Sequence, residues 1–491
     1  MLRSLRQCAA LFCAVLFLQG CATSSSLNVA RSQFFSGQTQ VALDTLNSRS
    51  VSERDLLLAH LDRGLIAHTS GDYQLSVNAF LSAVALLEEF DYLSVREQSA
   101  KLVTNDSSAT YKGEYSERLW IHTFQMMNFL LLNNPSAAAV EARQALKVLD
   151  KHNNSLSGDW YTRALIALSF EAARRPDSAH IEYKKLLNDM AGSQSSIARR
   201  AWQNAKRLGR ADDAEWFKSF IKTSASVGNE NGEFILFLQT GAIARKSSGE
   251  ILIDKDLYAS FPVYPERYRS STHIERIDNI ENANTPTVSV DEIDSASESL
   301  ENDGGIKIIS KALEQVSKIE NTGEPVEHVQ THLLDISRKA LAARGTQITI
   351  TQALRLAAKK GIADAISDEN EILGALATVF FYATEQADTR SWETLPAQLS
   401  MVQIPLAPGT HSLNFNVRVD NKLYELKLDD ITIEPRQTSF RSIRLGSGAS
   451  RDHLLATSEN KQALPPVSQP ASPSQSSSQT TPQTEPRLAA Q

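Results

Sequence analysis

Residues 64–83 read GLIAHTSGDYQLSVNAFLSA. Gly64 lies inside an apolar-periodic run, Gly71-Asp72-Tyr73 interrupts it, and a second run continues through Ser76, Phe80 and Ala83. The pattern predicts two antiparallel helices joined by a tight turn. Glycine at position 71 supplies the left-handed conformation that such a turn needs. Small residues at Gly64 and Ser76 let two helices approach closely, and a bulky Phe80 one turn later fills the groove to the next pair. The same arrangement stands upstream: Gly37 precedes Gly71 by 34 residues, with Ala42 and Leu46 at the offsets of Ser76 and Phe80.

Further along the chain the template fits at Asn133 (Ala138, Ala142) and at Arg174 (Ala179, Tyr183), with spacings after Gly71 of 62 and 41 residues and an insertion around Val103 to Ser108. A fifth pair is expected from Ser195 to Arg207 and from Ala211 to Ile221. This period and small–large alternation resemble the tetratricopeptide repeat. The resemblance implies a concave surface that binds peptides or other proteins; the alternative is an array that packs on the rest of the chain.

The pattern changes at Gly232. Glu233-Phe234-Ile235-Leu236-Phe237-Leu238, bounded by Gly232 and Gly241, suits a buried strand, and Ile251–Ile253, Phe261–Tyr264 and Thr287–Val290 are expected to pair with it. Ser270 to Gly304 carries nine acidic residues against Arg276 alone and reads as a solvated loop. Helical stripes follow: Ile309, Leu313, Val316 and Ile319, then Val329, Leu333, Ile336 and Leu341, then Leu354–Ala358. Ile372–Tyr382, apolar nearly all round, reads as a buried central helix. Strands are expected at Leu399–Ile404, Ser412–Val419, Tyr424–Ile433 and Ser439–Leu445, forming a small β meander or sandwich. From Gly446 onward six prolines and almost no bulky residues predict a disordered tail.

The fold class is therefore α+β, with these expected units: leader 1–20, tether 21–26, helical repeats 27–223, a mixed β region 224–304, a helical region 305–396, a small β domain 397–446 and a tail 447–491. Of the 491 residues 42% are hydrophobic and 22% charged, with a formal charge of −7, a balance that argues against nucleic-acid binding.

The leader reads as an address. Arg3 and Arg6 precede an apolar run from Cys8 to Leu18, too short to span a bilayer, and Leu18-Gln19-Gly20-Cys21 follows. That tetrad resembles the bacterial lipobox. The resemblance implies cleavage between Gly20 and Cys21, diacylation of the Cys21 thiol and, with Ala22 behind it, an outer-membrane anchor facing the periplasm. Removing the leader takes the formal charge to −9 and leaves 470 residues after Cys21 without any thiol, so disulfides and thiol chemistry are excluded there.

No GxSxG, Walker loop or GxGxxG occurs, so no catalytic or cofactor-binding residue is assigned. His328 and His332 would share a face if helical, which is half of a metal site; no metal ligand is assigned. Two strings stand out. In Tyr111-Lys112-Gly113-Glu114-Tyr115-Ser116-Glu117-Arg118-Leu119-Trp120, Ser116 is the expected helix cap before the run Trp120–Leu132, with an ion pair at Arg118. In the string Ala387 to Pro396, Asp388, Arg390 and Trp392 read in two ways. They are either an exposed guanidinium and aromatic anchor for a partner, or a plug at a helix-to-sheet junction with Asp388 paired to Arg390.

These strings, the lipobox and Phe261-Pro262-Val263-Tyr264 resemble a family of uncharacterised bacterial lipoproteins, over about residues 15 to 446. The resemblance implies architecture and compartment and no chemistry. The expected function is a non-enzymatic scaffold for envelope proteins, without cofactor, held on the membrane by its N-terminal lipid, with peptidoglycan as a further partner. A glycan-binding module or cell-wall enzyme, and a subunit of a surface assembly, are the alternatives.

Overall fold

The computed structural model describes residues 25–96, 109–190, 195–221, 231–254, 257–265, 271–277, 324–345, 348, 367, 387–420 and 422–446. The leader with Gly20 and Cys21, the insertion at 103–108, most of the acidic stretch, the strand expected at 287–290, the helices expected at 309–319, 354–358 and 372–382, and the tail lie outside them.

Among the described residues the helices form five hairpins: α1 Ser25–Phe35 with α2 Thr39–Ser48, α3 Leu56–Ser70 with α4 Tyr73–Arg96, α5 Tyr115–Leu131 with α6 Pro135–Lys151, α8 Trp160–Ala172 with α9 Pro176–Asp189, and α10 Ser195–Arg207 with α11 Ala211–Lys218. A short α7, Asn153–Leu156, links the third and fourth. Each hairpin turns through one left-handed residue: Gly37, Gly71, Asn133, Arg174 or Gly209. The repeat is thus marked by a backbone conformation, which glycine supplies in three hairpins and Asn133 and Arg174 supply in two. The packing rule holds in the second hairpin. A Cβ added at Gly64 would stand 2.5 Å from the Phe80 ring, and Ser76 Oγ donates to the Gly64 carbonyl at 2.6 Å. Ala42, Ala138, Ala179 and Ala214, each five residues after its turn, are all buried. Tyr183 takes the place of Phe80 in the fourth hairpin and is fully buried.

The strands are β1 Gly232–Thr240, β2 Ser247–Asp254, β3 Leu257–Val263, β4 Thr272–Ile277, β5 Glu324–Pro325, β6 His328–His332, β7 Gln398–Leu406, β8 Gly409–Val419, β9 Lys422–Ile433 and β10 Thr438–Leu445. They form one sheet in the order β10-β1-β7-β6, a second in the order β5-β4-β8-β9, and the separate hairpin β2–β3. The first sheet lies between the array and the second sheet. Ile235 and Phe237 of β1 join a core with the helices, while Phe234, Leu236 and Leu238 face β4, β8 and β9. A strand covered on both faces has no solvent side, which explains its uninterrupted bulky run.

Several expectations change. The four C-terminal strands do not run as a meander through one sheet: only β8 and β9 are hairpin neighbours there. β7 pairs antiparallel with one edge of β1 and β10 pairs parallel with the other. The buried strand at 232–240 is therefore the template on which the C-terminal segment assembles, giving a sandwich shared by segments 224–304 and 397–446. β2 and β3 pair with each other, not with β1. Val329 lies on strand β6, and the helix carrying Leu333, Ile336 and Leu341 spans 333–345. No helix among the described residues is long and apolar enough to cross a membrane.

Candidate functional site

The two strings singled out in the sequence meet. Gly113 takes a left-handed turn, and α5 begins after it with Glu114, not Ser116, at the N-cap. Glu117 curls back to accept the Glu114 backbone N–H at 2.9 Å, the reciprocal half of a capping box. That same oxygen, Oε2, also accepts from the Tyr111 hydroxyl, while Oε1 accepts the backbone N–H of Trp392 at 2.7 Å, from the second string. Glu114 is held between Lys246 Nζ at 2.9 Å and Arg344 Nη1 at 2.7 Å. Burial works to raise the Glu114 carboxyl, but the two cations outweigh it and keep it below the ordinary carboxylate value. The Tyr111 hydroxyl is pushed well above its usual value by burial and by the adjacent Glu117 and Glu114.

Trp392 is fully buried, stacked edge-on to Phe80 at 5.6 Å between ring centres and 5.8 Å from Phe124. It cannot serve as an exposed partner anchor. It plugs the inner side of the second and third hairpins, with its indole N–H on Thr394 Oγ1 at 3.0 Å. Asp388 pairs with Arg390 at 2.8 Å, and Arg390 also reaches Asp55 at 2.8 Å and the Ala109 carbonyl at 2.8 Å. The expected pair of Asp388 with Arg390 and the burial of Trp392 are present, while the helix expected to lead into this string lies outside the described residues. Arg118 makes the expected ion pair, with Asp91.

Beyond this junction, each hairpin is tied to the strand layer or its entry loop by a polar contact. In the first, Arg31 binds Asp62 at 2.7 Å, the Ser391 carbonyl at 3.0 Å and Glu393 at 2.8 Å. In the second, His68 lies 2.8 Å from Ser442 Oγ on β10 and 2.6 Å from Asn128 Oδ1. The third contributes Glu117 and Glu114. In the fourth, the Tyr161 N–H donates to Thr331 Oγ1 on β6 at 2.9 Å. In the fifth, Arg200 bridges Glu171 at 2.8 Å to Glu233 at the start of β1. Sequence reasoning missed Arg31, Asp62, Lys246 and Arg344. A usable signal was there for two of them, since Arg31 is the one cation of α1 and Asp62 the one acid of the apolar helix α3.

Two consequences bear on chemistry. The converging carboxylates and aromatics that a glycan-processing reading requires do occur between the helices and the strands, but both oxygens of Glu114 and of Glu117 are already bonded to neighbours. They form a lock. His328 and His332 stand on a strand, where residues four apart are about 13 Å apart, too far to share a metal ion. His328 instead bonds Val326 O at 2.8 Å and Gln330 Oε1 at 3.0 Å.

The concave side expected to receive a peptide is occupied by the chain itself, since α3, α5 and α8 touch β10, β6 and β7. The accessible helical surface is the outer one, built by the second helices. There Val41, Leu81, Val140 and Ile181 are 43–49% exposed. They stand four, ten, seven and seven residues after their turns, offsets one helical turn apart and so on one side of each helix. Next to Ile181 an open groove of about 620 Å³ runs between α9 and α11, lined by Lys184, Lys185, Arg210, Asp213 and Trp216.

No protein-family model matches this chain, and no curated protein matches it. Among solved structures it is similar to MamA of AMB-1, at 11% identity and TM-score 0.28 over 40% of this chain and 96% of that one. MamA from Desulfovibrio magneticus RS-1 gives 13% identity and TM-score 0.28 over 42% and 98%. The TPR-like repeats of a putative kinesin light chain from Podosopora anserina give 12% and 0.29 over 40% and 92%. The tetratricopeptide-like character of the helical half rests on this chain's own turns and small–large packing.

Proposed function

We propose that the protein is a non-enzymatic interaction scaffold of the cell envelope, held on the outer membrane by acyl chains on Cys21 and facing the periplasm. The observation that carries the scaffold reading is the row Leu81, Val140 and Ile181 on the outer face of successive hairpins. Val140 and Ile181 hold the same position on successive hairpins and Leu81 stands one helical turn further along its own helix, and apolar side chains spread over three units in this way form an extended surface of the kind protein partners cover. With the inner face filled by the β layer, partners dock on the second helices. The anchor rests on the sequence alone: a short apolar leader ending in Leu18-Gln19-Gly20-Cys21. Two acyl chains hold a protein on a bilayer stably without a transmembrane helix.

The test is crosslinking of the tagged protein in living cells, with mass spectrometry of what is captured, run in parallel on Cys21→Ala and on the double variant Val140→Ser with Ile181→Ser. A dominant envelope partner that is lost in the double variant supports the scaffold, and dependence of its capture on Cys21 supports the anchor. Capture of peptidoglycan fragments alone would overturn the scaffold in favour of glycan binding. Self-crosslinks alone would turn it into a subunit of an assembly.

A further inference from the structure

The first hairpin has an unusual surface. Between Ser25 and Ser48 the one exposed charged side chain is Asp44, and the other exposed positions, apart from Val41, are serine, asparagine or glutamine, among them Asn28, Ser32, Gln40 and Asn47. The hairpin's single cation, Arg31, is turned inward onto Asp62 and Glu393. The last two hairpins are the opposite, with Lys184, Lys185, Arg210, Asp212, Glu215 and Lys218 all exposed. The first hairpin is also rigidly part of the body. Leu27, Ala30 and Phe34 of α1 are buried in the core, and Ser26 Oγ donates to the Ser50 carbonyl at 3.4 Å.

Three residues, 22–24, separate Cys21 from the start of α1 at Ser25, a distance of at most about 14 Å when fully extended. An anchor at Cys21 therefore holds the start of the folded body within about 14 Å of the bilayer surface. A body with a formal charge of −9 brought so close to anionic headgroups is repelled by them wherever it presents carboxylates, because screening takes a Debye length of about 8 Å. Hydroxyl and amide side chains incur no such repulsion and hydrogen-bond to phosphate and glycerol oxygens.

We propose that the Ser25–Ser48 hairpin is the membrane-apposed face of the protein, lying on the lipid headgroup layer, so that the array rises from the bilayer with its charged fifth hairpin farthest away. This rests on the Cys21 anchor proposed above. It gives the repeat array a polarity: partners that approach from the aqueous side meet α9 to α11 first.

The experiment uses the full-length lipidated protein reconstituted in phosphatidylethanolamine–phosphatidylglycerol vesicles that carry an acceptor dye on their headgroups. The chain after Cys21 has no other thiol, so exposed single sites Asn28→Cys, Asn47→Cys and Lys218→Cys each take one donor dye. Energy transfer at Asn28 and Asn47 is expected to exceed that at Lys218 several-fold. A Gly/Ser insertion of about 20 residues between Ser24 and Ser25, with a reach of about 25 Å, is expected to shrink the difference while the protein stays on the vesicles. Equal transfer at all three sites, or the strongest at Lys218, overturns the proposal while leaving the anchor intact. A Cys21 that mass spectrometry finds unacylated, in protein that washes off the vesicles, overturns the anchor and this inference together.

Discussion

Helices α8 and α9 belong to one hairpin, yet α8 is buried from Tyr161 to Phe170 with Arg163 alone breaking the run, whereas α9 buries only Ala179, His180, Tyr183, Leu186 and Leu187. The difference is positional. The first helix of each middle hairpin, α3, α5 or α8, is wedged between its partner, the next hairpin and the strand layer and has no exposed residue. A second helix has one packed stripe and otherwise faces water. The inner face of this array has thereby become core, and its outer face is the surface left for recognition. In a free-standing repeat array both faces would be accessible and each unit would lean only on its neighbours.

The sharpest way to break that contrast is to remove the plug. Trp392→Ala should cost about 3–5 kcal/mol, because a fully buried indole against Phe80 and Phe124 leaves a cavity that rigid helices cannot close. Denaturant unfolding measures it, and a loss below about 1 kcal/mol would mean that the loop does not seal the inner face.

Next in size is Glu114→Gln, which leaves the buried Lys246 and the half-buried Arg344 around a neutral amide and should cost about 3 kcal/mol at neutral pH. The pH dependence has a definite sign. The Glu114 carboxyl is held below its ordinary value near 4.5, so its contribution is fully present above that value and is lost as the pH falls through the depressed one. The gap in Tm between wild type and Glu114→Gln should therefore narrow as the pH is taken from 7 to 3. A gap that stays constant would place the effect in packing and not in charge.

Gly64→Ala sharpens the comparison inside one hairpin. Its added methyl meets the Phe80 ring, and α3 and α4 must part, for about 1–3 kcal/mol. The smallest effect is expected outside: Val140→Ser with Ile181→Ser should change stability by no more than about 0.5 kcal/mol per site while reducing partner capture. A large stability loss there would show that the outer face is packed against something of its own.

The hairpins were legible because their information is local: a turn residue, a small residue five positions on and a bulky one nine positions on lie within a single unit. The fifth hairpin could have been marked more securely by Gly209, 35 residues after Arg174, whose left-handed conformation repeats the earlier turns. The buried character of β1 was readable from its unbroken apolar run. Its partners were not, since Leu238 pairs with Ile443 and Ser400 far along the chain, and alternation within β8 or β9 says which face is wet without saying which strand lies alongside. The junction was half legible. Both strings drew the eye, but that Glu117 would accept the Trp392 N–H is a fact about two segments 275 residues apart.

The parallel pairing of β1 with β10 sets the order in which the molecule can be finished. A stack of hairpins can zip up from its first unit as the chain emerges, each closing on the one before. Here the inner sides of α3 and α5 lack their contact with β10 until Thr438–Leu445 arrives to complete the sheet, near residue 445. A nascent molecule therefore carries an incompletely covered apolar face for most of its synthesis, the condition in which chains cling to one another or to a holding chaperone. Truncation before β10 would leave α3 and α5 without that cover, so the last strand acts as the completion check for the sheet.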